Sequence, residues 1–359
     1  MTHSVTRSLA IFVLSFAVCG LAKAAAAADC PGNPDAIGTS RTIVVDPTEH
    51  TRVGAMSYAE TLPLADKEMV LTLDDGPIAP YTGKILDILA SECVHATYFI
   101  VGDMARHRPD LVQRAYREGH TIGTHSMSHP YRFRALSFEK AKAQIDDGIE
   151  ATTAALGDAK DLAPFFRFPG FGNTESSEEY LASRGIMVWG ADIPADDWTH
   201  IGPREIVRRA LTRLEQKGKG ILLLHDIHPA TVAALPILLK ELKARGYHIV
   251  HVVPASKDNP KTETTPEAWL VPDRRRYAPT QELALSEVQS LNTDFLSRHS
   301  PEDLCSLKAM TGRSWSLAAR HSPRHSSVSR HSSMSRNSSM SRMARARAGH
   351  ADRGDRWWW

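Results

Sequence analysis

Met69-Val70-Leu71-Thr72-Leu73-Asp74-Asp75-Gly76-Pro77 runs an apolar stretch straight into two adjacent carboxylates and a glycine–proline turn. Thr82 to Cys93 follows, with Ile85, Leu86 and Leu89 on one helical face, and then a second apolar run, Ala96 to Val101. A strand, an amphipathic helix and another strand in that order form a parallel βαβ unit. The same alternation continues to Pro254. Further strands are expected at Thr121–Thr124, Phe165–Phe168, Ile186–Gly190, Ile221–Leu224 and Ile249–Val253. Helices are expected at Asp110–Glu118, Ser137–Leu156, Ser176–Arg184, Pro203–Lys217 and Val232–Arg245. Gly119, Gly185, Gly218 and Gly246 each follow a helix and precede a strand, where a left-handed residue ends the helix. The strands are near-continuous apolar runs, as they must be when both faces are covered. The pattern therefore predicts an α/β fold: a closed or nearly closed (β/α) barrel of about seven parallel strands. An open doubly wound sheet is the competing arrangement. The first strand lacks a Gly-rich dinucleotide fingerprint, which disfavours it.

Outside this unit the composition changes. Arg7, an apolar run from Ser8 to Ala22 and an alanine-rich stretch to Ala28 read as a secretory signal over residues 1–28. The apolar run is shorter than the ~20 residues a bilayer span needs. Export to a periplasmic or extracellular space is expected, where disulfides persist, and Cys30 and Cys93 are a candidate pair. Residues 29–67 are a Pro/Gly/Asp-rich lead-in expected to wrap the barrel. Residues 68–254 hold the alternating strands and helices as one domain, and residues 255–300 are expected to run over its surface. Residues 301–359 are Ser/Arg/His-rich, too poor in apolar groups to pack. Ten arginines against two aspartates in the last fifty residues hide a mildly acidic remainder behind a formal net charge of +2. The basic tail is therefore no sign of a nucleic-acid-binding fold.

Five strand ends deliver polar residues: Asp74-Asp75, His125-Ser126-Met127-Ser128-His129, Arg167-Phe168-Pro169-Gly170, Asp196-Asp197-Trp198 and His225-Asp226. In a parallel barrel these ends share one rim, the usual place of an active site. The spacing of His125 and His129 puts both rings on one side of a helical turn. Two imidazoles and one carboxylate leave positions open on a divalent cation, the pattern of a catalytic metal site. The second carboxylate remains to act as a base, which Arg167 would hold ionised. His225 is a separate acid–base group that Asp197 would orient. Such a set performs metal-assisted hydrolysis of a carbonyl compound. A non-haem iron oxygenase uses similar ligands, but the separate Arg167 and His225 disfavour it. Asp226 is expected to brace its strand end, Asp192 and Asp196 to serve as supporting or loop residues, and Trp189 to lie in the core. His120 and His251 are expected to be structural, and His228 at most an outer substrate contact.

In order and spacing, Thr72-Leu73-Asp74-Asp75-Gly76-Pro77 and the four later motifs resemble the polysaccharide deacetylases, the NodB-homology family also classed as carbohydrate esterase family 4. The resemblance covers Glu68 to Pro254 and implies a distorted barrel. It also implies roles: Asp74 as general base, Asp75, His125 and His129 as metal ligands, Arg167 as the anchor of Asp74, and His225, paired with Asp197, as general acid. Trp198 and Leu223 would wall an acetyl pocket, with Pro169 and Gly170 beside the substrate. The implied metal is zinc, with cobalt, manganese or nickel as alternatives. The expected activity is removal of N-acetyl groups from N-acetylglucosamine-containing chitooligosaccharide, peptidoglycan or exopolysaccharide, by a monomer without a stable membrane anchor. An O-acetyl esterase acting on a xylan-like polymer and a non-catalytic glycan-binding module are the alternatives. Leu73 stands where the family usually carries an aromatic residue, and Gly170 where many members carry a bulkier one.

Overall fold

A computed structural model describes residues 30–271; the expected signal sequence and tail, with Cys19 and Cys305, lie outside them. In chain order the elements are β1 (Thr39–Val45), β2 (Arg52–Val53), β3 (Glu68–Asp74), α1 (Tyr81–Ser91), β4 (Thr97–Ile100), α2 (Gly102–His107), α3 (Pro109–Arg117) and β5 (Thr121–Thr124). They continue with α4 (Phe138–Leu156), β6 (Phe165–Phe166), α5 (Glu175–Ser183), β7 (Met187–Trp189), β8 (Ile193–Pro194), α6 (Pro203–Lys217), β9 (Gly220–His225), α7 (Pro229–Ala244), β10 (His248–Pro254) and α8 (Pro266–Trp269). All seven expected strands and all six expected helices are present, and the four helix-ending glycines have positive φ.

Every strand ladder is parallel, and β9, β3, β4, β5, β6 and β7 lie side by side. The ring is interrupted after β7: β8 turns away to pair with β9, and β2 takes the edge of β7 instead. This break makes the barrel distorted. Strand β10 pairs with β3 only at His248 and Ile249, then diverges alongside β1.

Alternation along each strand separates two cores. Leu71, Leu73, Leu222 and Leu224 point outward onto Ile85, Leu86 and Leu89 of α1, Leu211 and Leu214 of α6 and Leu235 and Leu238 of α7. Val70, Phe99, Phe165, Met187, Trp189 and Ile221 point inward and are joined by Ile43, Val45, Val250, Val252, Leu62 and Trp269. Each such side chain contributes about 1.5–3 kcal/mol when fully buried, so the interior is a packed core that fixes the strand ends above it. Trp189 is core, as expected. Within residues 255–271 most side chains are exposed, but Trp269 is 3% exposed and inserts into the inner cluster.

Cys30 and Cys93 form a disulfide, with Cα atoms 5.7 Å apart. It ties the lead-in to the end of α1, where Gly38 N and Thr39 N also donate to Glu92 O and Cys93 O.

Candidate active site

Register places the chemistry on one rim. Asp74 sits level with Phe99 of β4 and His225 of β9. Beyond these ends the chain turns sharply. Six of the eight non-glycine residues with positive φ among the described residues lie there: Asp75, Ser126, His129, Phe171, Asp196 and His200. Such conformations persist only where surrounding contacts fix them. Gly76 shows how tight the packing is. A Cβ there would lie 2.1 Å from Asp226 Oδ2. Asp226 accepts from Gly76 N and from the Thr82 hydroxyl, bracing the first motif against α1. Burial, with some repulsion from Asp75, pushes its carboxyl up to about 7.

His125 and His129 converge without the helical turn that their spacing suggested. Residues 125–130 are irregular, with Ser126 and His129 both left-handed and His129 N donating to Ser126 Oγ. His125 Nδ1 lies 2.6 Å from the Arg167 carbonyl, so it carries the proton and donates, and Nε2 presents a lone pair. That Nε2 lies 3.4 Å from Asp75 Oδ1, and His129 Nε2 lies 3.3 Å from the same oxygen. Asp75 Oδ1 is buried and has no hydrogen-bond partner. A lone pair facing an unsatisfied carboxylate oxygen is repulsive unless a cation lies between them. Asp75, His125 and His129 are also the one group among the described residues whose ligand atoms cluster closely enough to hold a metal ion. The donor set fits a divalent cation with open positions. Burial works against the charge on Asp75, yet contact with His125 and the nearby His225 and His129 holds its carboxyl well below the usual range. Burial lowers His129 to about 4, which keeps it neutral as a ligand must be.

Asp74 lies alongside. Arg167 Nη1 donates to Asp74 Oδ1 at 2.7 Å, and the guanidinium is fully buried. The same nitrogen donates to Thr72 Oγ1, and the Nη2 and Nε groups donate to the Gly190 and Trp189 carbonyls. On the neighbouring strand β9, His225 Nδ1 lies 2.7 Å from Asp197 Oδ1. Asp197 also accepts from His225 N and from the Thr231 hydroxyl, so its carboxylate is held by three donors. Burial opposes charge on His225, but Asp197, with Asp75 and Asp74 behind it, raises the ring to about 10. The ring therefore carries a proton at neutral pH. Its Nε2 lies 3.9 Å from Asp75 Oδ2, facing the cluster.

The residues expected to border a substrate sit on strand β9 and on the turns that follow Arg167 and precede α6. Trp198 is 40% exposed and meets the His225 ring edge-on at 5.3 Å. Leu223 is buried and shares the inward face of β9 with Ile221. Pro169 begins a tight turn in which Gly170 has φ +54, and nothing lies within 4 Å of where a Cβ would be. His228 stands 5.9 Å from His225, ring to ring. Asp196 turns away and pairs with Arg209 and Arg213. Two positioning hydroxyls, those of Thr72 and Thr231, escaped the sequence reading. Strand alternation from Val70 gave a signal for the first, but Thr231 comes into reach only through the start of α7.

A family model, Polysaccharide deacetylase, matches residues 62–189. A peptidoglycan-N-acetylglucosamine deacetylase of Bacillus cereus is 33% identical over 196 residues, which are 53% of this chain and 89% of that protein. A peptidoglycan-N-acetylglucosamine deacetylase of Listeria monocytogenes is 31% identical over 187 residues, 52% of this chain and 38% of its own length. Among solved structures, a peptidoglycan deacetylase of Bdellovibrio bacteriovorus is similar with a TM-score of 0.54 at 30% identity, covering 61% of this chain and 60% of that one. The chain thus spans most of the first relative and less than two thirds of the other two.

Proposed function

Because the chain belongs to the polysaccharide deacetylase family, we propose that it is a metal-dependent hydrolase removing N-acetyl groups from N-acetylglucosamine-containing polysaccharide, peptidoglycan foremost. One observation carries the reading. A buried carboxylate oxygen with no hydrogen bond faces two imidazole nitrogens, and an oriented carboxylate and a protonated histidine flank them.

Asp75, His125 and His129 would hold the metal, zinc by the chemistry of a two-nitrogen, one-oxygen donor set. When bound, the cation supplies Lewis acidity that polarises an amide carbonyl and acidifies a water. Asp74 then takes the proton from the attacking water. Arg167 holds Asp74 Oδ1 and leaves Oδ2 facing the cluster, 3.9 Å from His125 Nε2. His225 gives its Nε2 proton to the departing amine, and Asp197 stabilises the charged ring before transfer. The base and the acid reach the cluster from neighbouring strand ends, Asp74 from β3 and His225 from β9, so one carboxylate and one imidazole serve addition to and collapse of a tetrahedral carbon. Trp198 and Leu223 would bound the acetyl methyl, and Pro169 and Gly170 would border the sugar.

The disulfide and the peptidoglycan-modifying relatives support a site of action outside the cytoplasm, periplasmic or secreted. No helix among the described residues is long and apolar enough to cross a membrane.

The test is acetate release from N-acetylglucosamine oligomers, peptidoglycan and acetylated xylan, with and without chelator. Chelator-sensitive release from the first two supports an N-deacetylase. Release from xylan alone makes it an esterase, and glycan binding without release makes it a binding module.

A further inference from the structure

Residues 51–61 form a strap along the edge of β7 that β8 leaves vacant. Thr51 O accepts from Val188 N at 2.8 Å, Val53 O from Gly190 N at 2.6 Å, and Met56 N donates to Ala191 O at 3.0 Å. At Gly54 the two backbones touch. Its φ is +111°, and an added Cβ would lie 2.6 Å from the Gly190 carbonyl carbon. The strap is then clasped from below by Asp192, whose side chain is fully buried. Its carboxylate accepts from Ala55 N at 2.6 Å and Thr61 Oγ1 at 2.8 Å on the strap, and from Ile221 N of β9 at 2.7 Å. One buried carboxylate thus closes the break in the barrel by joining the strap to the strand beyond it.

The clasped segment is also the seat of Arg167. Its Nη2 donates to Gly190 O at 2.8 Å and its Nε points to Trp189 O at 3.4 Å. Its Nη1 bonds Asp74 Oδ1 at 2.7 Å, and its guanidinium lies 4.2 Å above the Phe99 ring. A guanidinium is a rigid planar fork, so placing two of its edges places the third. The position of the Gly190 carbonyl therefore sets the position of Asp74.

We propose that Asp192 is a positioning residue for deacetylation: through the strap it fixes the Trp189 and Gly190 carbonyls, which fix Arg167, which orients Asp74. The proposal rests on Asp74 being the base in the reading above. The strap lies in the lead-in, and neither it nor Asp192 falls within the residues 62–189 matched by the family model.

The test compares Asp192→Asn, Thr61→Val and Thr61→Ser in the zinc-loaded full-length protein. A misplacement of under an ångström at Asp74 should lower kcat about a hundredfold in Asp192→Asn and about tenfold in Thr61→Val. KM and zinc affinity should stay near wild type, and Thr61→Ser should restore kcat. A second readout needs no activity: the guanidinium N–H signals of Arg167 should exchange with water faster in Asp192→Asn and Thr61→Val. The proposal fails if folded Asp192→Asn or Thr61→Val keeps wild-type kcat and Arg167 exchange. It also fails if kcat, KM and zinc affinity change together, or if Thr61→Ser is as slow as Thr61→Val. Should Asp192→Asn not fold, the Thr61 pair decides alone. If the wild type releases no acetate from any glycan, the deacetylase reading fails, and Arg167 exchange still decides whether the strap seats the guanidinium.

Discussion

At the mouth of the barrel His125, His129 and His225 face carboxylates; at its floor His95, His120 and His251 face one another. The floor rings lie 6.0 Å (His95 to His120) and 5.2 Å (His95 to His251) apart. Burial, reinforced by neighbouring imidazoles, lowers His120 to about 3 and His251 to about 4. His225 is also buried, yet Asp197 raises it to about 10. Burial alone makes a histidine a neutral packing group. A carboxylate at hydrogen-bond distance makes it an acid. His129 lies between these cases, for burial outweighs the pull of Asp75 and leaves it suited to a metal. The floor is further stitched by the Cys30–Cys93 disulfide. The two ends should therefore fail differently when altered, the mouth in turnover and the floor in stability.

The largest effect is expected at Asp75. Asp75→Ala, or His125→Ala, should abolish zinc binding and lower kcat/KM more than about a thousandfold, since several kcal/mol of charge stabilisation is lost. For Asp75→Ala the melting temperature measured without metal should change little or rise, because a buried unpaired oxygen is removed. Asp74→Asn separates the two carboxylates. Zinc affinity should persist while kcat falls about a hundredfold to ten-thousandfold; a variant that stays active ends the assignment of Asp74 as the base. His225→Ala should lower amide turnover about a hundredfold but spare an acetate ester with a good leaving group, because only the amine requires a proton to depart. Equal losses on both substrates contradict that role.

Alterations of the floor sharpen the contrast. Replacing both cysteines with serine removes a cross-link between residues 63 apart in sequence and should cost about 4 kcal/mol by chain entropy, with kcat of the folded fraction unchanged. The smallest effect is the pH response. His120 and His251 have folded pKa values below the ordinary 6.5, so the unfolded chain binds more protons from 6.5 down to about 4 for His251 and about 3 for His120. Stability from these groups is complete above pH 6.5 and is lost as pH falls through that window. His120→Gln or His251→Gln should flatten that acid-side decline in the urea midpoint. An unchanged slope shows the rings are not the cause.

Much of this was legible in the sequence. The seven strands and six helices follow from apolar runs and helix-ending glycines, and the site residues follow from the polar ends of those runs. What escaped depends on contacts distant in sequence. Arg52-Val53 becomes a strand only because β8 leaves the edge of β7 unpaired, and Thr39–Val45 mixes polar and apolar residues until β10 pairs with it. The His125–His129 spacing suggested a helical turn, but two left-handed residues bring the rings together instead. Trp269 sits in a charged, threonine-rich stretch that gives no sign of a buried partner, and it finds one in the inner core.

The central claim concerns one cation held by Asp75, His125 and His129. Chelator-stripped protein titrated with zinc, with acetate release from an N-acetylglucosamine oligomer followed at each addition, tests it most directly. The account predicts no release at the start, saturation at one zinc per chain, and neither binding nor release in Asp75→Ala. Full activity in the stripped protein, or wild-type zinc affinity in Asp75→Ala, contradicts it.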